Sequence, residues 1–266
     1  MTDNTNFNDA IKLLDEISKS SFLVDVWIPS INRYVKIQEI TAKQQKCLME
    51  SAIDSEALKF NFNKVLNEIL CENCQESSDV TNEFTIMDKN CIILSLRNQI
   101  SNKVKIDLDE DNKTVEVDLE GIVSKFKDYI HPENKIISYS KSDINIELTI
   151  ACPTIQNEYK FDNYIYGNLN LQKDELDDIK NLIGAAFLGE TSKYIKGISI
   201  NGNSIDYNSL HVPQKIQFVE KLPANLVQKL VDTIVVWKED LQNVSKIVEG
   251  NISKSIDINS FLFLSN

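Results

Sequence analysis

Phe22–Ile53, FLVDVWIPSINRYVKIQEITAKQQKCLMESAI, reads as two strands feeding a capped helix. Val24, Val26 and Ile28 alternate with Leu23, Asp25 and Trp27, the period-2 pattern of a strand with one face buried. Pro29 and Ser30 end that strand, because proline has no amide proton to give a ladder. Tyr34 to Ile37 resumes an extended run, and the polar SINR, Ser30 to Arg33, is the hairpin loop between them. Thr41 stands where an N-cap belongs and Gln44 follows three residues later. Such a T-x-x-Q box satisfies two orphan amides reciprocally. Leu48, Met49, Ala52 and Ile53 fall at helical spacing behind it. Gln44 and Gln45 read equally as solvated helix positions or as partner contacts.

Bulk properties narrow the class. The chain has 266 residues, enough for one large domain or two ordinary ones, and 42% of them are hydrophobic, enough to supply a core. Its net charge of -12 repels nucleic acid and anionic lipid, so neither is expected as a partner. No apolar run approaches the roughly 18 residues that span a bilayer. The start, MTDNTNFNDA, lacks the basic flank and apolar core of a secretion signal, which points to manufacture in a cytoplasm. Five cysteines at irregular spacing suit a reducing compartment better than a disulfide framework.

The expected fold class is α+β: an N-terminal β-hairpin plus helices, a central mixed sheet and helix region, and a C-terminal helical region with short strands. Ile11, Leu13, Leu14 and Ile17 mark a short amphipathic helix ahead of the hairpin, suited to docking on the body or on a partner. Phe60, Phe62, Val65, Leu66, Ile69 and Leu70 form a second helical stripe after it. Thr85 to Asp88 is a further capping-box-like start, with Cys91, Ile92, Ile93, Leu94 and Leu96 as the buried face. The texture changes at Lys103, which divides the chain into residues 1–102 and 103–266, as two parts or as one domain. Val104, Ile106 and Leu108, then Val115, Val117 and Leu119, alternate around an acidic turn and predict a hairpin. A helix from Leu119 to Tyr129 and a strand from Ile144 to Ile150 follow. Lys173 to Leu188 is expected to be helical, burying Leu176, Ile179, Leu182, Ile183 and Phe187 and stopping at Gly189. Ile195, Ile198 and Ile200 precede the tight-turn signal Asn201-Gly202-Asn203. Helices from Pro213 to Leu222 and from Pro223 to Trp237 come next, the second with Pro223 in its first turn and the seam Leu226, Leu230, Ile234 and Trp237. Val244 to Leu264 holds two short apolar runs of strand character.

Reactive constellations are sparse. Cys71-Glu-Asn-Cys74 is a C-x-x-C, but a structural zinc site needs further ligands, and Cys47, Cys91 and Cys152 are scattered singly through apolar patterns. A small zinc-binding module using Cys71 and Cys74 remains an alternative to packing at the end of a helical face. His131 and His211 are isolated, with no G-x-S-x-G, H-E-x-x-H or glycine-rich phosphate loop. The acidic cluster Asp174, Glu175, Asp177 and Asp178 suits the first turn of a helix. No catalytic residue, cofactor, metal or small-molecule substrate is therefore expected, and the chain is read as no enzyme.

The unit VWIPSINRYVKIQEITAKQQKCLMESAID resembles the baseplate hub subunit and hub assembly protein family of T-even-like, contractile-tail bacteriophages. Val26, Pro29, Ser30, Asn32, Arg33, Val35, Thr41, Lys43, Gln44, Gln45 and Lys46 carry the match. A second segment, FVEKLPANLVQKLVDTI from Phe218 to Ile234, looks like the family's C-terminal helical region. The two cover about a fifth of the chain. The resemblance implies a non-enzymatic virion or assembly protein, made in the host cytoplasm and found in the tail baseplate. Its partners would be other hub and tail proteins, with the tape-measure protein among the candidates. A tail-assembly chaperone absent from the mature virion is the alternative. The residues expected to contact partners are Trp27, Pro29, Arg33, Lys43, Gln44 and Gln45 in the first module and Phe261 and Phe263 in the tail.

Overall fold

The computed structural model describes residues 7, 9–14, 16, 23–53, 58–107, 114–167, 176–249 and 252–255. Strands β1 (Leu23–Ile28) and β2 (Arg33–Gln38) pair antiparallel, from Leu23 opposite Gln38 to Ile28 opposite Arg33. Their connection starts one residue earlier than expected. Pro29–Ile31 forms a 3-10 turn, and Asn32 takes the left-handed conformation at φ 50°, which asparagine tolerates better than most residues. Arg33 is already strand. The buried face is Val24, Val26, Ile28, Val35 and Ile37.

Helix α1 (Ala42–Ile53) opens with the reciprocal cap: Thr41 N–H donates to Gln44 Oε1 at 2.9 Å and Gln44 N–H to Thr41 Oγ1 at 3.2 Å. Helix α2 (Leu58–Asn73) buries Leu66, Ile69 and Leu70, and the chain then runs alongside β2, where Gln75 N–H donates to the Lys36 carbonyl at 2.9 Å. After a single turn, α3 (Ser78–Thr81), comes α4 (Asp88–Ile100). Its Ile92, Ile93 and Leu96 pack with the hairpin, while Cys91 and Leu94 pack with the sheet that follows. Helix α4 is thus a wall common to two apolar cores, and the composition change after Asn102 falls just beyond its end.

The second core begins with hairpin β3 (Lys103–Asp107) and β4 (Thr114–Asp118), then α5 (Leu119–Lys125), shorter than expected because Phe126 to Asp128 form a turn. Strands β5 (Lys135–Lys141), β6 (Ile144–Ile150), β7 (Ile195–Ile200) and β8 (Asn203–Ile205) make an antiparallel sheet in that order. Helices α6 (Ile155–Gly167) and α7 (Leu176–Ser192) are inserted between β6 and β7. The β7–β8 turn is the expected Asn-Gly, with Asn201 at φ 51° and Gly202 at φ 79°. Helices α8 (Val212–Glu220) and α9 (Ala224–Val244) follow; α9 buries Leu226, Leu230, Ile234 and Trp237, as the spacing predicts. Pro223 sits just before α9 as its N-cap and not in the first turn; its carbonyl accepts from the Leu226 and Val227 amides. The short hairpin of β9 (Lys246–Glu249) and β10 (Ile252–Ser255) closes the described chain.

Two features of α7 correct the sequence reading. Phe187 is 50% exposed and lies outside the buried face. Gly189 does not stop the helix, which continues to Ser192. It is a crossing point, where an added Cβ would come within 2.1 Å of Ile165 Cδ1 on α6. The side chains of Leu176, Ile179, Leu182 and Ile183, which were expected to share that face, lie outside the described residues. The fold is α+β, and none of the described helices is long and apolar enough to cross a membrane.

Candidate functional site

Hydrogen bonds across elements join the hairpin and α1 through the end of α2. Asn73 Nδ2 at the end of α2 donates to the Gln38 and Glu39 carbonyls at 3.1 and 3.3 Å, and Gln44 Nε2 donates to Asn73 Oδ1 at 2.8 Å and Glu72 Oε2 at 3.1 Å. Gln44 is therefore occupied within the chain as well as capping α1. Arg33 forks onto the Glu76 carboxylate at 3.1 and 3.3 Å, and Lys36 pairs with Asp25 at 3.0 Å. Both pairs are exposed and so contribute little to stability. Pro29 is buried, Gln45 is half-buried and Lys43 is exposed. Phe261 and Phe263 lie outside the described residues.

The solvent side of the hairpin is aromatic. Trp27 and Tyr34 meet edge to face at 5.2 Å between ring centroids, and Lys127 Nζ stands 5.3 Å over the Tyr34 ring. Tyr34 is exposed, whereas Trp27 is half-buried against the sheet-side core. A second apolar surface lies on the N-terminal helical residues, where Phe7, Ile11, Leu13 and Leu14 are all exposed.

Beneath the hairpin tip sits a polar node that sequence spacing shows only in part. Asp88 is 0% exposed. Its Oδ1 accepts from Ser30 N–H at 2.9 Å, and its Oδ2 accepts from Thr85 N–H at 2.6 Å and Thr85 Oγ1 at 2.9 Å. Thr85 Oγ1 also lies 3.0 Å from His131 Nε2. With Asp88 ionised, the one hydroxyl proton of Thr85 goes to the carboxylate and the imidazole is the donor in that last bond. Burial pushes the Asp88 carboxyl above its usual range, against the pull of the Ser30 and Thr85 bonds. Burial pushes His131 below the usual imidazole value, and the Asp88 charge offsets part of that shift. The arrangement runs opposite to an activated nucleophile, in which the imidazole would accept the hydroxyl proton. Thr85, at 6% exposure, is also closed to a substrate.

A second buried cluster joins α4 to the α6–α7 insertion. The Glu158 carboxylate on α6 pairs with Lys89 Nζ and with Lys193 Nζ, the latter at 3.1 Å, and Lys193 also meets Glu190 at 2.8 Å. Burial pulls the Lys193 ammonium down, but Glu158 and Glu190 outweigh it and hold the group above the ordinary lysine range. Each ion here has an opposite partner, the pattern of a structural brace.

The remaining candidates are scattered. Cys71 is exposed, contrary to the expectation that it packs, and Cys74 is half-buried beside β2. Among the described residues no group of three His, Cys, Asp or Glu could hold a metal ion. Burial pushes the Cys91 and Cys152 thiols up to about 12, so both are inert. His211 precedes α8, its amide donating to Gln214 Oε1 at 2.9 Å. A cleft of about 260 Å3 between α2 and α6, lined by Leu70, Phe84, Ile155 and Tyr159 with Lys64 and Cys71 at its edge, contains neither histidine.

Fold and surface together define an α+β protein that presents a braced hairpin–helix module. Compared with family models, curated proteins and solved structures, the chain matches none.

Proposed function

We propose that this chain is a non-enzymatic structural or assembly protein of a contractile-tail baseplate hub, working through protein–protein contacts of its hairpin–helix module. The observation that carries the reading is the coincidence of two things in one segment. The residues that resemble the hub family, Val26 to Lys46, fold as a single braced unit through the Thr41–Gln44 cap and the Gln44–Asn73 bonds. The same unit exposes Tyr34, which meets the half-buried Trp27 edge to face. Aromatic side chains flanked by cations are the common anchors of protein interfaces. The exposed apolar side chains of Phe7, Ile11, Leu13 and Leu14 support the same reading, since exposed apolar patches mark interaction sites.

Mass spectrometry of purified tail particles and of hub intermediates tests the proposal. Presence in finished particles identifies a component, and presence only with hub intermediates identifies an assembly factor. Absence from both overturns the reading. Within the module, Lys43→Glu is expected to change stability by less than about 0.5 kcal/mol, because Lys43 is exposed. The same variant is expected to weaken co-purification with hub proteins. Full retention of that binding would remove Lys43 from the interface.

A further inference from the structure

The Asp88 node reaches further than a helix cap needs to. It ties the hairpin tip, through Ser30 N–H, to the first turn of α4 and, through Thr85, to a histidine 46 residues downstream. Trp27 Nε1 is buried at the same tip without a hydrogen-bond partner, and the tip reaches α4 through Ser30 and Asp88. No ion pair to Asp88 occurs among the described residues. Around it stand Cys91 on its own helix, Tyr129 and His131 after α5, and Cys152 after β6, with Asp240 of α9 beyond Tyr129. His131 is the one group in this set that becomes a cation.

We propose that the Ser30–Asp88–Thr85–His131 chain is a proton-operated latch: uptake of a proton by the node loosens the hairpin tip from α4. With the node deprotonated the latch holds: a carboxylate accepts three hydrogen bonds and a neutral imidazole donates to Thr85. A charge-assisted bond is about twice as strong as a neutral one. A proton on the carboxyl makes the Ser30 bond a neutral one. A proton on His131, where the Pro132 carbonyl stabilises the charged ring, leaves the carboxylate ionised but draws its charge toward Thr85, which weakens the Ser30 bond without making it neutral.

The signs of the two groups differ. Asp88 has its folded pKa raised, so its charged form costs the folded state and acidification relieves that cost. His131 has its folded pKa lowered, so acidification below the ordinary histidine value costs stability. The opposed terms let the tip release while the body stays folded. Reciprocity then requires that a partner binding the latched hairpin expel the proton, so docking weakens as pH falls. That last step rests on the proposed interaction role; the latch does not.

The test is a pH titration of the free, full-length chain by NMR. Only two histidines are present, so the His131 and His211 ring signals separate cleanly. The expected result is one midpoint shared by the His131 ring and the Ser30 amide, distinct from the midpoint of His211. His131→Asn is expected to remove that midpoint from the Ser30 amide. Asp88→Asn, where it folds, is expected to lower the His131 midpoint, because it removes the charge that favours imidazolium. A Ser30 amide that ignores the His131 titration, or that responds identically in His131→Asn, overturns the latch. Neither result bears on whether the chain belongs to a tail particle.

Discussion

Glu158→Gln is expected to lower the free energy of unfolding by roughly 3–5 kcal/mol, the usual cost of breaking a buried ion pair by removing one partner. Glu158 is the shared counter-ion of two ammonium groups, Lys89 and Lys193, whose side chains are 10% and 1% exposed. Glutamine keeps the shape and one acceptor but removes the charge. Lys193 then keeps Glu190, and the Lys89–Glu158 pair between α4 and α6 is lost. With a total stability on the order of 5–15 kcal/mol, the loss is a large fraction of the whole. A urea midpoint lower by about 1–2 M is the expected readout, given a slope of about 2–3 kcal/mol per molar. Glu190→Gln is the control: its side chain is 30% exposed and Lys193 keeps Glu158, so the drop is expected to be less than half as large. The raised Lys193 pKa fixes the pH dependence. Its stabilisation is fully present below the unfolded lysine value of about 10.5 and is lost only as pH rises beyond it, so the Glu158→Gln penalty is expected to be flat between about pH 6 and 9. A midpoint unchanged from the parent would show that these ions are solvated and the brace is not one.

What the sequence reveals and what it hides follow the range of the forces involved. The hairpin at Leu23–Gln38, the Thr41 cap, strand β6, the Asn201-Gly202 turn and the α9 seam are legible because each depends on periodicity or on partners three or four residues apart. Strand β5 escapes that kind of reading. Its outward positions carry an exposed Ile136 beside Ser138 and Ser140, so the apolar alternation is blurred, and pairing with β6 decides its structure. Helix α6 escapes for the opposite reason, since two of its buried positions are acidic, Glu158 and Asp162, which breaks the apolar stripe. Gly189 looks like a helix stop in isolation and acquires its packing role only from Ile165 on another helix. The candidate site divides in the same way. Thr85 and Asp88 announce a cap, but Ser30 and His131 stand 58 and 46 residues from their partners, and no local pattern joins them. Gln44 was legible as a cap but not as the residue whose amide binds Asn73 and Glu72.

Ile92→Ala and Leu94→Ala are each expected to destabilise the chain by roughly 2–5 kcal/mol, the range for deleting a large buried aliphatic side chain. Both residues are 0% exposed. They are two positions apart on α4, about 200° around the helix, so they enter different cores: Ile92 joins Val26, Val35 and Leu66, and Leu94 joins Leu148, Phe126 and Leu230. A helix is one hydrogen-bonded cylinder and cannot keep one face folded while the other loses its support. The Glu158 brace and the Asp88 node also start from α4, at Lys89 and at its first residue. Each substitution is therefore expected to shift a single transition that both halves share. Native-state hydrogen exchange reads this directly, by comparing slow amides of β1 with slow amides of β6. Equal losses of protection in the two strands, in both variants, are the expected pattern. If Ile92→Ala loosened β1 alone and Leu94→Ala loosened β6 alone, residues 1–102 and 103–266 would be separate folding units, and α4 would be a boundary instead of a common wall.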